Sequence, residues 1–137
     1  MDSFFYSAVS DVLVGAGTST QLGDLAASMG IQRALIVTDP GIIKFGLLDG
    51  AVANLKANNI ELSIYSDVIA DPPESVVMDA VSSAQAFGCD GVIGFGGGSS
   101  MDVAKLLAVL IKGEQQLSEI YGEIGRASCR ERVCLYV

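Results

Sequence analysis

Apolar residues recur along this chain in two alternating patterns, short continuous runs and helical spacings, and the elements they predict alternate in the same way. Ala34-Leu35-Ile36-Val37-Thr38 is an unbroken apolar run closed by Asp39-Pro40-Gly41, which predicts a strand buried on both faces, as in a parallel sheet. Ile42 to Phe45 predicts one helical turn, and Leu48, Val52 and Leu55 line one face of a helix over 47–58. Ile60 to Tyr65 alternates, so it reads as a strand nearer an edge. Neither Pro72 nor Pro73 can donate to a ladder, and the second suits the opening of a helix. Val76, Val77, Ala80, Val81 and Ala84 give that helix its buried face, and Gly88 ends it.

Gly91 to Phe95 is the next apolar strand, followed by Gly96-Gly97-Gly98-Ser99 and a helix from about Ser99 to Ile111. Nearer the N-terminus, Phe4-Phe5-Tyr6 and Val9 to Val14 are β-prone and predict a small antiparallel edge hairpin. Gly15-Ala16-Gly17 leads into Leu22, Leu25, Ala26 and Met29 at helical spacing, with Thr18 or Ser19 as the expected cap and Gly30 as terminator. Gly15-x-Gly17 lacks the third glycine of a dinucleotide fingerprint and reads as a structural turn. Gln115 to Tyr121 is a candidate short helix. Strand and helix in alternation are the pattern of a doubly wound α/β sheet.

Composition narrows the function classes. The 137 residues suffice for one domain with a real core. A formal net charge of −8 argues against nonspecific nucleic-acid binding, which rests on clustered lysine and arginine. The longest apolar run, Leu106 to Ile111, is far short of a membrane span. Met1 to Tyr6 lacks the basic start of a secretion signal, so a cytoplasmic protein is the simplest expectation. Three cysteines make no disulfide framework, and Cys89 reads as a half-buried thiol. With no histidine, the chain holds no histidine base, triad or metal ligand.

Residues 124–137 break the pattern, with three of the eight basic residues and one of the sixteen acidic ones. Residues 1–123 then carry five basic and fifteen acidic residues, a formal charge of −10. The segment resembles the translation of a sequencing-library adapter and is expected to be non-native, the alternative being a basic C-terminal arm. The α/β domain is accordingly placed at 1–123.

The chemistry concentrates at Gly96 to Asp102. Three glycines bare the main chain and permit positive φ. Ser99 is an expected N-cap, with Asp102 three residues on as the partner of a capping box. Unpaired N–H groups and the partial positive charge of a helix start suit a phosphate. In open α/β sheets ligands lie beyond the carboxyl ends of the strands, where Asp39, Asp71 and Gly96 to Asp102 fall. An acid at a strand end can accept from ribose hydroxyls and repels a 2′-phosphate, which favours NAD over NADP. In the ordinary fingerprint the acid follows the glycines by about 20 residues. Here Asp39 comes before them, so a different nucleotide-binding topology is required.

Gly96-Gly97-Gly98-Ser99-x-x-Asp102-x-x-Lys105, preceded by Leu35-Ile36-Val37-Thr38-Asp39 and Asp71-Pro72, resembles the N-terminal domain of the iron-containing (group III) alcohol dehydrogenases, over about residues 4–122. Glycerol dehydrogenase and dehydroquinate synthase are similar more distantly. The resemblance implies a Rossmann-like NAD(P) domain, of the dehydroquinate synthase-like N-terminal type, followed by an all-helical domain whose aspartate and histidines hold iron or zinc. It implies hydride transfer between a small alcohol or aldehyde and NAD(P), and leaves room for a homodimer.

By position, Gly96, Gly97, Gly98 and Ser99 would hold the cofactor diphosphate and Asp39 would read the adenosine ribose. Asp71 would stand near the adenosine end, where many relatives carry asparagine, and Asp102 near the nicotinamide. Lys105 can neutralise Asp102 as an i,i+3 pair. No catalytic residue and no metal ligand is assigned within the chain. It is expected to lack the metal-binding domain and to be inactive alone. The alternatives are a stand-alone nucleotide-binding or interaction domain without catalysis, or a piece of a glycerol dehydrogenase- or dehydroquinate synthase-like enzyme.

Overall fold

A computed structural model describes residues 12–112 and the strand Val133–Tyr136. Its centre is a parallel sheet of β1 (Arg33–Val37), β2 (Glu61–Tyr65) and β3 (Gly91–Phe95) in the order β2-β1-β3. The registers are Leu35 with Ser63 on one side and Leu35 with Val92 on the other. β4 (Val133–Tyr136) lies parallel beside β3, with Ile93 opposite Cys134. The composition change at residue 124 carries no sign of this pairing, because a ladder is made by backbone groups whatever side chains they bear.

Two hydrophobic layers sandwich the sheet, which is why β1 and β3 are buried on both faces. On one side Leu22 and Ala26 of α1 (Leu22–Ser28) and Ala51 and Leu55 of α3 (Asp49–Ala57) pack on Ala34, Ile36 and Ile93. On the other, Val77, Ala80, Val81 and Ala84 of α4 (Glu74–Phe87) join Val103, Ala104 and Leu107 of α5 (Gly98–Lys112) over Leu35, Val37 and Val92. Small alanines let α4 and α5 approach the sheet closely. α2 (Pro40–Lys44) is the single helical turn after β1.

Most element boundaries agree with the periodicity to within two residues. β2 is an edge strand of the described sheet, and its mixed burial is what alternation implies. Gly88 at φ 67° and Gly30 at φ 73° close their helices as expected. Three local expectations differ. Residues 12–14 are exposed and in no strand; the rest of the expected hairpin, and the helix at Gln115 to Tyr121, lie outside the described residues.

Thr18 does not cap α1 either. A 3-10 turn over Thr18–Gln21 precedes the helix, and the Thr18 and Thr20 hydroxyls donate back to the carbonyls of Gly15 and Gly17. The cap comes from α3 instead, where Asn54 Oδ1 accepts from the N–H groups of Gly23 (2.6 Å) and Asp24 (3.1 Å). Asp24 answers by accepting from the side-chain amides of Asn54 and Asn58. Gly23 makes this possible, since any Cβ there would run into the Asn54 carbonyl. The α1 stripe is also narrower than its spacing implies, with Leu22 and Ala26 in the core but Leu25 and Met29 at the surface.

Candidate functional site

The fold creates a topological switch point between β1 and β3. After β1 the chain turns to α2 and α3 on one face, and after β3 it turns to α5 on the other. A crevice therefore opens between the carboxyl ends of these two neighbouring strands, the place where ligands of open α/β sheets bind. Asp39 follows β1 directly, and Gly96 to Ser99 follow β3.

Asp39 is half-buried and extended (φ −111°, ψ 161°), and it caps α2. Its Oδ1 accepts from the N–H groups of Gly41 at 2.9 Å and Ile42 at 3.1 Å. Pro40 at the first helical position loses nothing by lacking an N–H. The cap fixes the carboxylate and leaves Oδ2 turned toward the glycine turn. A Cβ on Gly96 would stand 3.0 Å from that oxygen, 3.2 Å from Ser100 Oγ and 3.4 Å from Ile42 Cγ1.

The three glycines have different reasons to be there. Gly96 sits at φ 132°, a conformation L side chains rarely adopt, and it is crowded, so the fold itself requires glycine. Gly97 and Gly98 are exposed, at ordinary φ, and a Cβ on either would meet nothing within 4 Å. No packing in the described chain asks for a missing side chain at these two positions. What their bareness provides is open main chain at the start of a fifteen-residue helix.

The expected capping box is not formed. α5 begins at Gly98, with Met101 N–H donating to the Gly97 carbonyl at 3.2 Å, so Ser99 lies inside the first turn, half-buried. Asp102 is on the exposed side of α5 and pairs forward with Lys105, Nζ to Oδ1 3.7 Å. The chain can start this helix from a glycine because the turn is shaped by Gly96 and not by a side-chain cap.

Asp71 stands apart from the others. It is exposed, in the connection after β2, and β1 separates that strand from β3. It holds φ 47° immediately before Pro72, a position where a proline disfavours helical geometry in its predecessor. Asp39, Gly96, Gly97, Gly98 and Ser99 thus share one crevice, Asp102 lies one turn along its helix, and Asp71 marks the far strand end.

Two residues at this edge were not singled out by the sequence. Thr38 and Ser100 are the buried polar residues among those described, at 0 % and 1 % exposure. The Thr38 main chain is engaged by Tyr65 and Val68, while its Oγ1 is buried without a hydrogen-bond partner. A Cβ on Gly96 would stand 3.2 Å from the Ser100 hydroxyl. The doubled serine after the glycines was the available signal for it.

A three-layer α/β unit with a glycine turn and an acid facing each other across a switch point is a Rossmann-like class of domain. The comparisons with known proteins are specific. A sequence model of the family "Iron-containing alcohol dehydrogenase" matches residues 10–136, and the chain belongs to that family. It is 33% identical over 119 residues to choline dehydrogenase of Bacillus subtilis, covering 87% of this chain and 30% of that protein. To long-chain-alcohol dehydrogenase 1 of Geobacillus thermodenitrificans it is 39% identical over 97 residues, covering 71% and 25%. Among solved structures it resembles NADH-dependent butanol dehydrogenase A of Thermotoga maritima with a TM-score of 0.83 and 29% identity, over 98% of this chain and 34% of that one. The chain spans about a third of the length of the relatives it matches.

Proposed function

We propose that this chain is the cofactor-binding part of an alcohol dehydrogenase that transfers hydride between an alcohol or aldehyde and NAD. The observation that carries the reading is the pair Gly97 and Gly98. Their missing side chains serve no contact of the described chain, and they leave bare main chain at the start of α5, next in sequence to Gly96, where a Cβ would stand 3.0 Å from Asp39 Oδ2. The similarity to an NADH-dependent butanol dehydrogenase supports the same cofactor.

In this reading the α5 start holds the diphosphate through backbone N–H groups and the helix dipole. Asp39 accepts from the adenosine ribose through Oδ2, since Oδ1 is occupied as a cap. That carboxylate also places a negative charge where the 2′-phosphate of NADP would sit, which favours NAD. NAD supplies the hydride acceptor. Asp71 would flank the adenosine end, and Asp102, balanced by Lys105, would face the nicotinamide side.

The described residues do not fit the family's metal. The sequence holds no histidine, and no cluster of three His, Cys, Asp or Glu among the described residues could ligate an ion. The ligands of such a metal would come from the remaining length of a full family member. Among the described residues no helix is long and apolar enough to cross a membrane.

Titration of the folded chain with NADH and NADPH, followed by the fluorescence of the reduced nicotinamide, tests the reading. Weak saturable binding of NADH, tighter than that of NADPH, is expected. A folded sample that saturates with neither would overturn it.

A further inference from the structure

We infer that Gly41 is a positioning residue for the cofactor: its bare α-carbon makes the room in which the Asp39 carboxylate sits, and so sets where the ribose is read and how strongly a 2′-phosphate is repelled. The inference rests on the dinucleotide reading above. Gly41 occupies the first turn of α2, half-buried and without the positive φ that calls for glycine at Gly96. At an ordinary helical position alanine is the more stable choice, because glycine gives up more backbone freedom on folding. α2 therefore carries a glycine that its own geometry does not ask for. A Cβ at this position would stand 2.9 Å from Asp39 Oδ1, and that oxygen is the neighbour it would meet.

Ordinary van der Waals contact begins at 3.4 Å, so an alanine here asks for about half an ångström more room. The backbone of α2 is tied by the N–H groups of Phe45 and Gly46 on the carbonyls of Gly41 and Ile43, whereas the carboxylate turns about two single bonds. The carboxylate yields first. Its Oδ1 accepts from the N–H groups of Gly41 at 2.9 Å and Ile42 at 3.1 Å, and a displacement disturbs both bonds. Oδ2 belongs to the same rigid group and moves with it. On that side the bare α-carbon of Gly96 leaves the room, since a Cβ there would stand 3.0 Å from Oδ2. The acid is thus flanked by two glycines, one required by its φ and one by the carboxylate alone. A group that reads a ligand must be held to within about 0.5 Å of its productive place, so a shift of this size is felt as affinity. Gly41 acts through Asp39 and needs no contact with the ligand.

Gly41→Ala, Asp39→Ala and the double variant of the full chain, each titrated with NADH and with NADPH, test this. Gly41→Ala keeps a φ that alanine adopts freely, so it should fold, which urea unfolding checks. It should weaken NADH about three- to tenfold and change NADPH less than about twofold, so that the preference for NADH narrows. In the Asp39→Ala background the same substitution should change neither affinity, a coupling that a general disturbance of α2 does not produce. Wild-type NADH affinity in Gly41→Ala, equal losses for the two cofactors, or a loss that persists without the carboxylate would overturn the inference and leave the cofactor reading standing. A folded wild-type chain that saturates with neither cofactor overturns both.

Discussion

Gly96 and Gly97 are neighbours with opposite reasons for being glycine, and replacing each by alanine separates folding from binding. At Gly96 an alanine must adopt φ 132°, and its Cβ would press on Asp39 Oδ2 at 3.0 Å and Ser100 Oγ at 3.2 Å. A non-glycine residue in that region costs about 1–3 kcal/mol, before the carboxylate and hydroxyl have moved to make room. Gly96→Ala should therefore lower unfolding stability by about 2 kcal/mol or more, lying at or above the middle of that range. Gly97→Ala has an ordinary φ and empty space within 4 Å, so its stability should stay within about 0.5 kcal/mol of wild type, the usual range for a surface change. In the proposed binding mode its Cβ would nevertheless occupy the room through which a diphosphate would reach the backbone N–H groups. NADH affinity should fall at least tenfold in Gly97→Ala with the urea midpoint unchanged. Urea unfolding followed by circular dichroism gives the first quantity and NADH fluorescence titration the second. Wild-type NADH binding by Gly97→Ala, or a wild-type unfolding midpoint for Gly96→Ala, would overturn these assignments.

Thr38→Val removes a buried hydroxyl that lacks a partner and keeps the side-chain shape, so it should raise stability by about 1 kcal/mol; a destabilised variant in thermal or urea unfolding would show that Oγ1 is satisfied in solution. Tyr65 donates its hydroxyl to the Val76 carbonyl at 3.1 Å, tying β2 to α4, and Tyr65→Phe should cost about 1 kcal/mol near neutral pH. Burial raises the Tyr65 phenol above its ordinary value, with the Asp67 and Asp79 carboxylates adding to the shift. Its contribution is therefore fully present below about pH 10, where the unfolded phenol is still neutral, and is lost as pH rises through the higher folded value. The stability gap between wild type and Tyr65→Phe should narrow as pH rises past about 10 in urea titrations, and a gap that widens would contradict the assignment.

Apolar periodicity carried the layered α/β order because burial on two faces forces continuous runs such as Ala34 to Val37, and burial on one forces stripes such as Val77-Ala80-Val81-Ala84. It carried the crevice as well, since Asp39 and the glycines interrupt those runs at strand ends. It could not carry what depends on partners distant in sequence. Asn54 caps a helix that starts more than thirty residues earlier, so the nearer Thr18 looked like the cap until α1 and α3 were brought together. The capping box at Ser99 and Asp102 had the right letters, yet the sharp φ of Gly96 begins α5 one residue early and carries Asp102 round to Lys105. The same geometry explains why the three glycines look alike in the sequence and differ in the fold. One is held by the protein's own crowding, and two face open space that the described chain leaves unfilled. Only that distinction turns a tight strand-to-helix turn into an argument for a ligand, because internal packing already accounts for Gly96 and accounts for neither Gly97 nor Gly98.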